Sequence, residues 1–210
     1  ENKCKDNIRR MANKARQHHL VFRPHFKTHV SRAIGEWYQQ EGVDKITVSS
    51  FSMARYFAAA GWPDITVAFP VNIHEIDLIN QLAAEIQLNV LVESAFTAEF
   101  LAENLAHPVG VFIKIDVDYY RTGIHWQNTA LIDAVLKKLK SDKLSFKGFL
   151  THAGQSYAAR GREEILQIHQ SSLQKMETLN RRYRKDFPHL IISVGDTPTC
   201  SVAEDFTGVD

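Results

Sequence analysis

The sequence predicts an α/β fold, a (β/α)8 barrel of the TIM type, and three observations carry that expectation. Strand-like and helix-like patterns alternate strictly along the 210 residues, with seven strand patterns and no long structureless stretch. Such alternation implies a parallel sheet with covered faces. Polar residues gather just after the strand patterns, which is where a barrel places its chemistry. A doubly wound open sheet would carry a Gly-rich turn after its first strand. Pro24 and Lys27 occupy that region instead.

The elements follow from hydrophobic period. Residues 4–18 place Ile8, Met11, Ala12 and Ala15 at helical spacing, and a strand over 20–26 follows. Residues 31–41 read as a helix and Ile46 to Val48 as a short β-branched strand. Residues 51–60 are helical, with Gly61 as the stop. Ile65 to Phe69 is the third strand, closed by Pro70, and residues 74–85 are the next helix. Leu88 to Val92 is a strand, 95–105 a helix, and Val109 to Val117 a long apolar strand broken by Lys114 and Asp116. Residues 128–140 form an amphipathic helix, 144–151 a strand ending in polar residues, 161–185 the longest helix, and 190–194 the last strand. Seven units fall one short of a barrel, so the eighth strand is expected beyond Asp210 and the chain is expected to be a single domain, incomplete at both ends.

Composition excludes some classes. The chain is 44% hydrophobic, enough for a full core. A net charge of +1 offers no electrostatic case for nucleic acid or an anionic membrane. No apolar run approaches a membrane span. Cys4 and Cys200 lie far apart and fit a reduced, cytoplasmic protein.

The chemistry gathers at the strand ends. In Val21 to His29, Val21, Arg23, His25 and Lys27 share one strand face, while Phe22 and Phe26 share the other. Two readings stand. The polar face looks into a reactive cavity, where burial and neighbouring cations favour a neutral, nucleophilic Lys27; or it is a surface strand end with solvated Arg and Lys. The sixth strand ends in Thr151 to Tyr157, where His152 can hydrogen-bond beneath a flat ring, Ser156 can reach a phosphate and Tyr157 can meet a ring. Its alternative is a loop with a structural histidine. The seventh ends in Ser193 to Thr199, where Gly195, Thr197 and Thr199 suit an anion. Its alternative is an ordinary strand-to-helix turn with a Thr cap. His25 and His29 have the i, i+4 spacing of a metal pair, but on a strand end that spacing does not share a face, so no metal site is assigned. Asp116 and Asp118 share a strand face like a hydrolase pair, yet Arg121 follows closely and is expected to neutralise them.

Four stretches together carry a family resemblance: Arg23 to His29, Asp118 to Gly123, Thr151 to Tyr157 and Ser193 to Thr199. In this order they resemble the D-threonine aldolase and D-serine dehydratase group of the alanine-racemase-like, fold type III pyridoxal-phosphate enzymes. The resemblance spans nearly the whole chain and implies an alanine racemase N-terminal-domain-like barrel that lacks its last strand and a C-terminal β domain. It implies Lys27 as the catalytic Schiff-base lysine, Arg121 as the cofactor-side arginine, His152 below the ring and Tyr157 near it. It also places Ser156, Gly195, Asp196 and Thr197 about the cofactor. Three positions depart from the pattern: Gln155 stands where His is usual, Val30 where Lys is common and Asp196 where a small residue is common.

The implied function is a lyase acting on a small D-amino acid, by retro-aldol cleavage or by loss of a β-hydroxyl. A racemase, a non-catalytic cofactor carrier of the barrel-only type, and a barrel that binds another phosphorylated ligand are the alternatives. Pyridoxal 5'-phosphate is the implied cofactor. The divalent metal of the aldolases and dehydratases would be bound by residues beyond Asp210. The resemblance allows a homodimer and implies neither nucleic acid nor membrane as a partner.

Overall fold

The computed structural model describes residues 1–210. Helix α1 (Asn2–Gln17) leads into an extended segment and α2 (Arg32–Gln40). Then follow β1 (Lys45–Val48), α3 (Phe51–Ala58), β2 (Asp64–Pro70), α4 (Ile76–Glu85), β3 (Gln87–Val92), α5 (Ala95–Asn104) and β4 (Val109–Asp116). After the two-residue strand β5 (Ile124–His125) come α6 (Thr129–Lys138), β6 (Leu144–Thr151), α7 (Arg162–Tyr183), β7 (Ile191–Val194) and α8 (Thr197–Val202). The sheet runs β1-β2-β3-β4-β6-β7 with every neighbour parallel, and β5 pairs with the end of β4. All strand C-termini therefore lie on one rim.

Helix starts are written just past those C-termini. Ser50, Ser94 and Asp196 lie two residues beyond β1, β3 and β7, and each accepts an amide proton from the third residue of the helix that follows. Caps of this kind are worth about 1 kcal/mol each. They fix where each helix leaves the rim.

The two faces of the sheet differ. Outward side chains such as Ile46, Val67, Val90, Val111 and Ile113 join Phe57, Leu82, Leu101, Val135 and Leu179 of the helices in one apolar core. The alternate positions point inward. There Thr47, Asp64, Thr66, Asn89, Lys114 and Asp116 are buried. Strand bodies that look apolar in sequence are apolar on the outer face only. In β6 an extra residue at Lys147–Gly148 shifts the register, so Phe146 and Phe149 both face outward with ring centroids 5.5 Å apart. Gly148 sits at φ +141°, and a Cβ there would strike the Ile191 backbone.

The strand expected over 20–26 is not a regular one. Its ladder is a single parallel bridge, His25 to Thr47, after which Phe26–Thr28 turns into a 3-10 helix. Pro24 has no N–H to continue a ladder; its carbonyl accepts from the Thr47 amide at 2.9 Å. What holds the segment is Arg23. Its guanidinium forks onto the Asp64 carboxylate at 2.7 and 3.1 Å, and Asn89 donates to the same carboxylate at 2.9 Å. On the other parity Phe26 is fully buried among Tyr38, Phe57 and Trp62. Arg23→Met would leave the buried Asp64 without its cation and is expected to cost about 3 kcal/mol, read as a lower urea midpoint. A loss below about 1 kcal/mol would show that other contacts hold the segment.

Candidate active site

The rim brings together the loops after β6 and β7. His152 Nδ1 lies 2.6 Å from the Gly195 carbonyl. A carbonyl only accepts, so this nitrogen carries the proton and Nε2 keeps a lone pair. Ser156 Oγ donates to Asp196 Oδ1 at 2.6 Å, and the Thr197 amide donates to the Tyr157 hydroxyl at 3.2 Å. Six of the sequence-predicted residues thus form three pairs that tie one loop to the other. Gly195 borders open space, since a Cβ there would meet nothing within 4 Å. Burial lowers the His152 pKa, opposed by its bond to Gly195.

Lys27 occupies the 3-10 turn after the first barrel segment, exposed at the same rim. Its amide donates to His25 Nδ1 at 3.3 Å. His25 is driven down to about 4, first by burial, then by the charges of Lys27 and His152. Lys27, His25 and His152 all follow the C-terminal ends of parallel segments, on the same rim. His29 leaves it: its ring packs against Phe26 and Tyr38, with centroids 4.4 and 6.0 Å away.

Arg121 is exposed, its guanidinium 5.2 Å from the centre of the Tyr119 ring. The expected ion pair with Asp116 or Asp118 does not form, because both carboxylates are committed elsewhere. Asp116 accepts the amides of Tyr119 and Tyr120, and Asp118 accepts from Lys175 at 2.5 Å and His125 at 2.9 Å. Asp118 and Tyr120 adopt positive φ of +76° and +57°, an uncommon backbone for such residues. The carboxylate contacts hold this tight loop and present Arg121 unpaired. Glu93 braces its far end by accepting the Gly123 amide at 2.7 Å.

The N-cap of α8 is Asp196, where the sequence alternative was Thr. Its Oδ1 accepts the Thr199 amide and its Oδ2 the Thr199 hydroxyl. An aspartate one residue nearer the strand end satisfies the first turn, and Pro198 follows where a helix tolerates it. Sequence reasoning also left Lys114 without a role. It is 5% exposed, donates to the Ile115 carbonyl at 3.3 Å, and has a pKa lowered to about 8 by burial and by the charge of Arg121. The interruption of an apolar strand by Lys114 and Asp116 was its one visible signal.

The model of the alanine racemase N-terminal domain matches residues 1–209. The chain belongs to that family. It is 30% identical to D-threo-3-hydroxyaspartate dehydratase of Delftia sp. (strain HT23), over 97% of this chain and 55% of the relative. It is 26% identical to D-serine dehydratase of Dictyostelium discoideum, over 94% of this chain and 54% of the relative. The solved Delftia structure superposes with a TM-score of 0.90 at 29% identity, covering 99% of this chain and 56% of that one. D-threonine aldolase from Filomicrobium marinum shares the fold, with a TM-score of 0.88 at 19% identity over 97% of this chain and 56% of that one. The chain spans about 55% of the length of the Delftia relative. The family members are therefore similar to it in fold, the TIM-type α/β barrel domain.

The donor set suits pyridoxal phosphate. An exposed lysine, an imidazole whose Nδ1 is already committed, an unpaired arginine and an open glycine backbone share one rim. The residues that would hold it are Lys27, Arg121, His152, Tyr157, Gly195 and Thr197, while Ser156, expected to reach the phosphate, gives its hydroxyl proton to Asp196 instead. No helix is long and apolar enough to cross a membrane.

Two measurements probe the site's construction. Val30, just past the Lys27 turn, sits at φ +39°, which is costly for a β-branched residue. Val30→Gly is expected to raise stability by about 1 kcal/mol in urea denaturation; no gain would mean that the Val30 side chain offsets the strain. His25 is held neutral when folded, so between its unfolded value of 6.5 and its folded value of about 4 the unfolded chain binds more protons. Stability should therefore be full above pH 6.5 and fall as pH drops toward 4. His25→Gln should flatten that decline, and an unchanged slope would assign it to other groups.

Proposed function

We propose that this chain is the pyridoxal-phosphate-binding barrel of a lyase that acts on small D-amino acids carrying a β-hydroxyl, by elimination of the hydroxyl or by retro-aldol cleavage. The observation that supports it best is an exposed Lys27 on the rim where the loops after β6 and β7 are tied together, in a chain similar to dehydratases of such substrates. Pyridoxal phosphate, when bound, supplies a conjugated ring that draws electrons from the substrate's α carbon.

The chain's own residues have distinct tasks. Lys27 Nζ is the attachment point and, once released by substrate, the group that moves a proton at the α carbon. His152, with its tautomer set by Gly195, offers a fixed flat face and an Nε2 lone pair. Arg121, stacked on Tyr119 and free of carboxylates, orients an anionic or ring-edge acceptor. Tyr157 closes the phosphate side through its contact with Thr197. One similar solved structure is of a mutant D-threo-3-hydroxyaspartate dehydratase in a metal-free form. Residues 1–210 contain no group of three or more His, Cys, Asp or Glu side chains suited to a metal.

The test uses the full-length protein incubated with pyridoxal phosphate. A visible absorbance band should appear, and borohydride should fix an adduct that peptide mapping places on Lys27. Lys27→Ala should reduce turnover of D-serine, D-threonine and D-threo-3-hydroxyaspartate to background. An adduct on another lysine, or full turnover in Lys27→Ala, overturns the reading.

A further inference from the structure

We propose that Asp196 is a built-in anion that fills the phosphate seat of this chain and weakens its hold on the cofactor's phosphate. The inference rests on the pyridoxal-phosphate reading above and adds a residue that sets how strongly the phosphate is held.

Asp196 occupies three of the hydrogen-bond donors at this seat. The Asp196 carboxylate is 8% exposed, between the loops after β6 and β7. It takes the Ser156 hydroxyl at 2.6 Å, the Thr199 amide at 2.9 Å and the Thr199 hydroxyl at 2.7 Å. Ser156 is 1% exposed and has one proton, so that donor is spent. The Thr197 amide is taken by the Tyr157 hydroxyl, Pro198 has no N–H, and the Cys200 amide bonds the Asp196 carbonyl. What remains for an anion is the Gly195 and Asp196 backbone, the exposed Thr197 hydroxyl and the proton of the Tyr157 hydroxyl, beside the open space at Gly195. A phosphate seated there lies next to a carboxylate that already holds the Ser156 and Thr199 hydroxyls.

The consequence is electrostatic. Like charges a few ångströms apart in a partly buried site repel strongly, and the carboxylate also withholds three donors that would bind the phosphate. Asp196 has a structural role too, as the cap of α8 and as the tie to Ser156. Asparagine separates the two roles, because it caps about as well as aspartate and carries no charge.

The experiment compares pyridoxal phosphate with pyridoxal, which lacks the phosphate, binding to full-length protein by spectroscopic titration. In the wild-type protein the phosphate should improve Kd by less than about 100-fold. In D196N that advantage should widen by about tenfold, and in D196S it should widen as well. An advantage above about 1,000-fold in the wild-type protein overturns the proposal without any variant. So does an unchanged or narrowed ratio in folded D196N or D196S, which would leave Asp196 as a helix cap and loop tie. Failure of the underlying reading looks different: neither compound would then give a borohydride-fixed adduct on Lys27. If both compounds give the adduct and the ratio stays fixed, only the inference about Asp196 falls.

Discussion

The position of Lys27 depends on the forked ion pair between Arg23 and Asp64. The segment that carries the lysine has one backbone bridge to the sheet, so it lacks the ladder that fixes every other unit of the barrel. Arg23 replaces that ladder from inside, reaching a buried carboxylate that Asn89 also holds. Phe26 anchors the opposite side in an aromatic cluster. Between these two holds the chain turns sharply at Phe26–Thr28 and leaves Lys27 at the rim. A regular strand would have pinned the segment with backbone bonds but carried it past the point where the turn occurs.

The rim has an electrostatic logic of the same kind. Its carboxylates are all committed within the chain: Asp116 to amides, Asp118 to Lys175 and His125, Glu93 to Gly123, and Asp196 to Ser156 and Thr199. Arg121 is left with an aromatic partner only. A surface that neutralises its own acids while leaving a cation free is suited to an anionic ligand. Lys114 lies deeper, where burial makes its charge costly and brings its pKa toward neutrality. The strained backbone at Asp118 and Tyr120 survives because these carboxylate contacts over-determine the loop.

Much of the barrel was legible in sequence because its outer face obeys simple periods. Val48, Val67, Val90 and Val111 sit at matching register and all pack outward against amphipathic helices, so strand and helix could be told apart. The clustering of Lys27, His152, Tyr157 and Gly195 at strand ends was readable for a topological reason, since parallel strands deliver all their C-termini to one edge. The Arg121 environment was misread. Proximity in sequence suggests an ion pair with Asp116 or Asp118, but Asp116 takes two backbone amides and Asp118 takes Lys175 and His125, while the Arg121 guanidinium stays exposed to water.

The sequence by itself determined the α/β alternation, the covered parallel sheet, the family and the strand ends where polar groups meet, because each follows from local period or short motif. Only the tertiary structure decided which polar group each acid and hydroxyl takes as its partner. Ser156, Asp196 and Thr199 are 40 and three residues apart along the chain, yet they share one hydrogen-bonded cluster. Arg23 and Asp64 are 41 apart and form the fork beneath Lys27. Such pairings are chosen by competition among all the donors and acceptors that folding buries together, and that competition exists only once the loops of the rim have met.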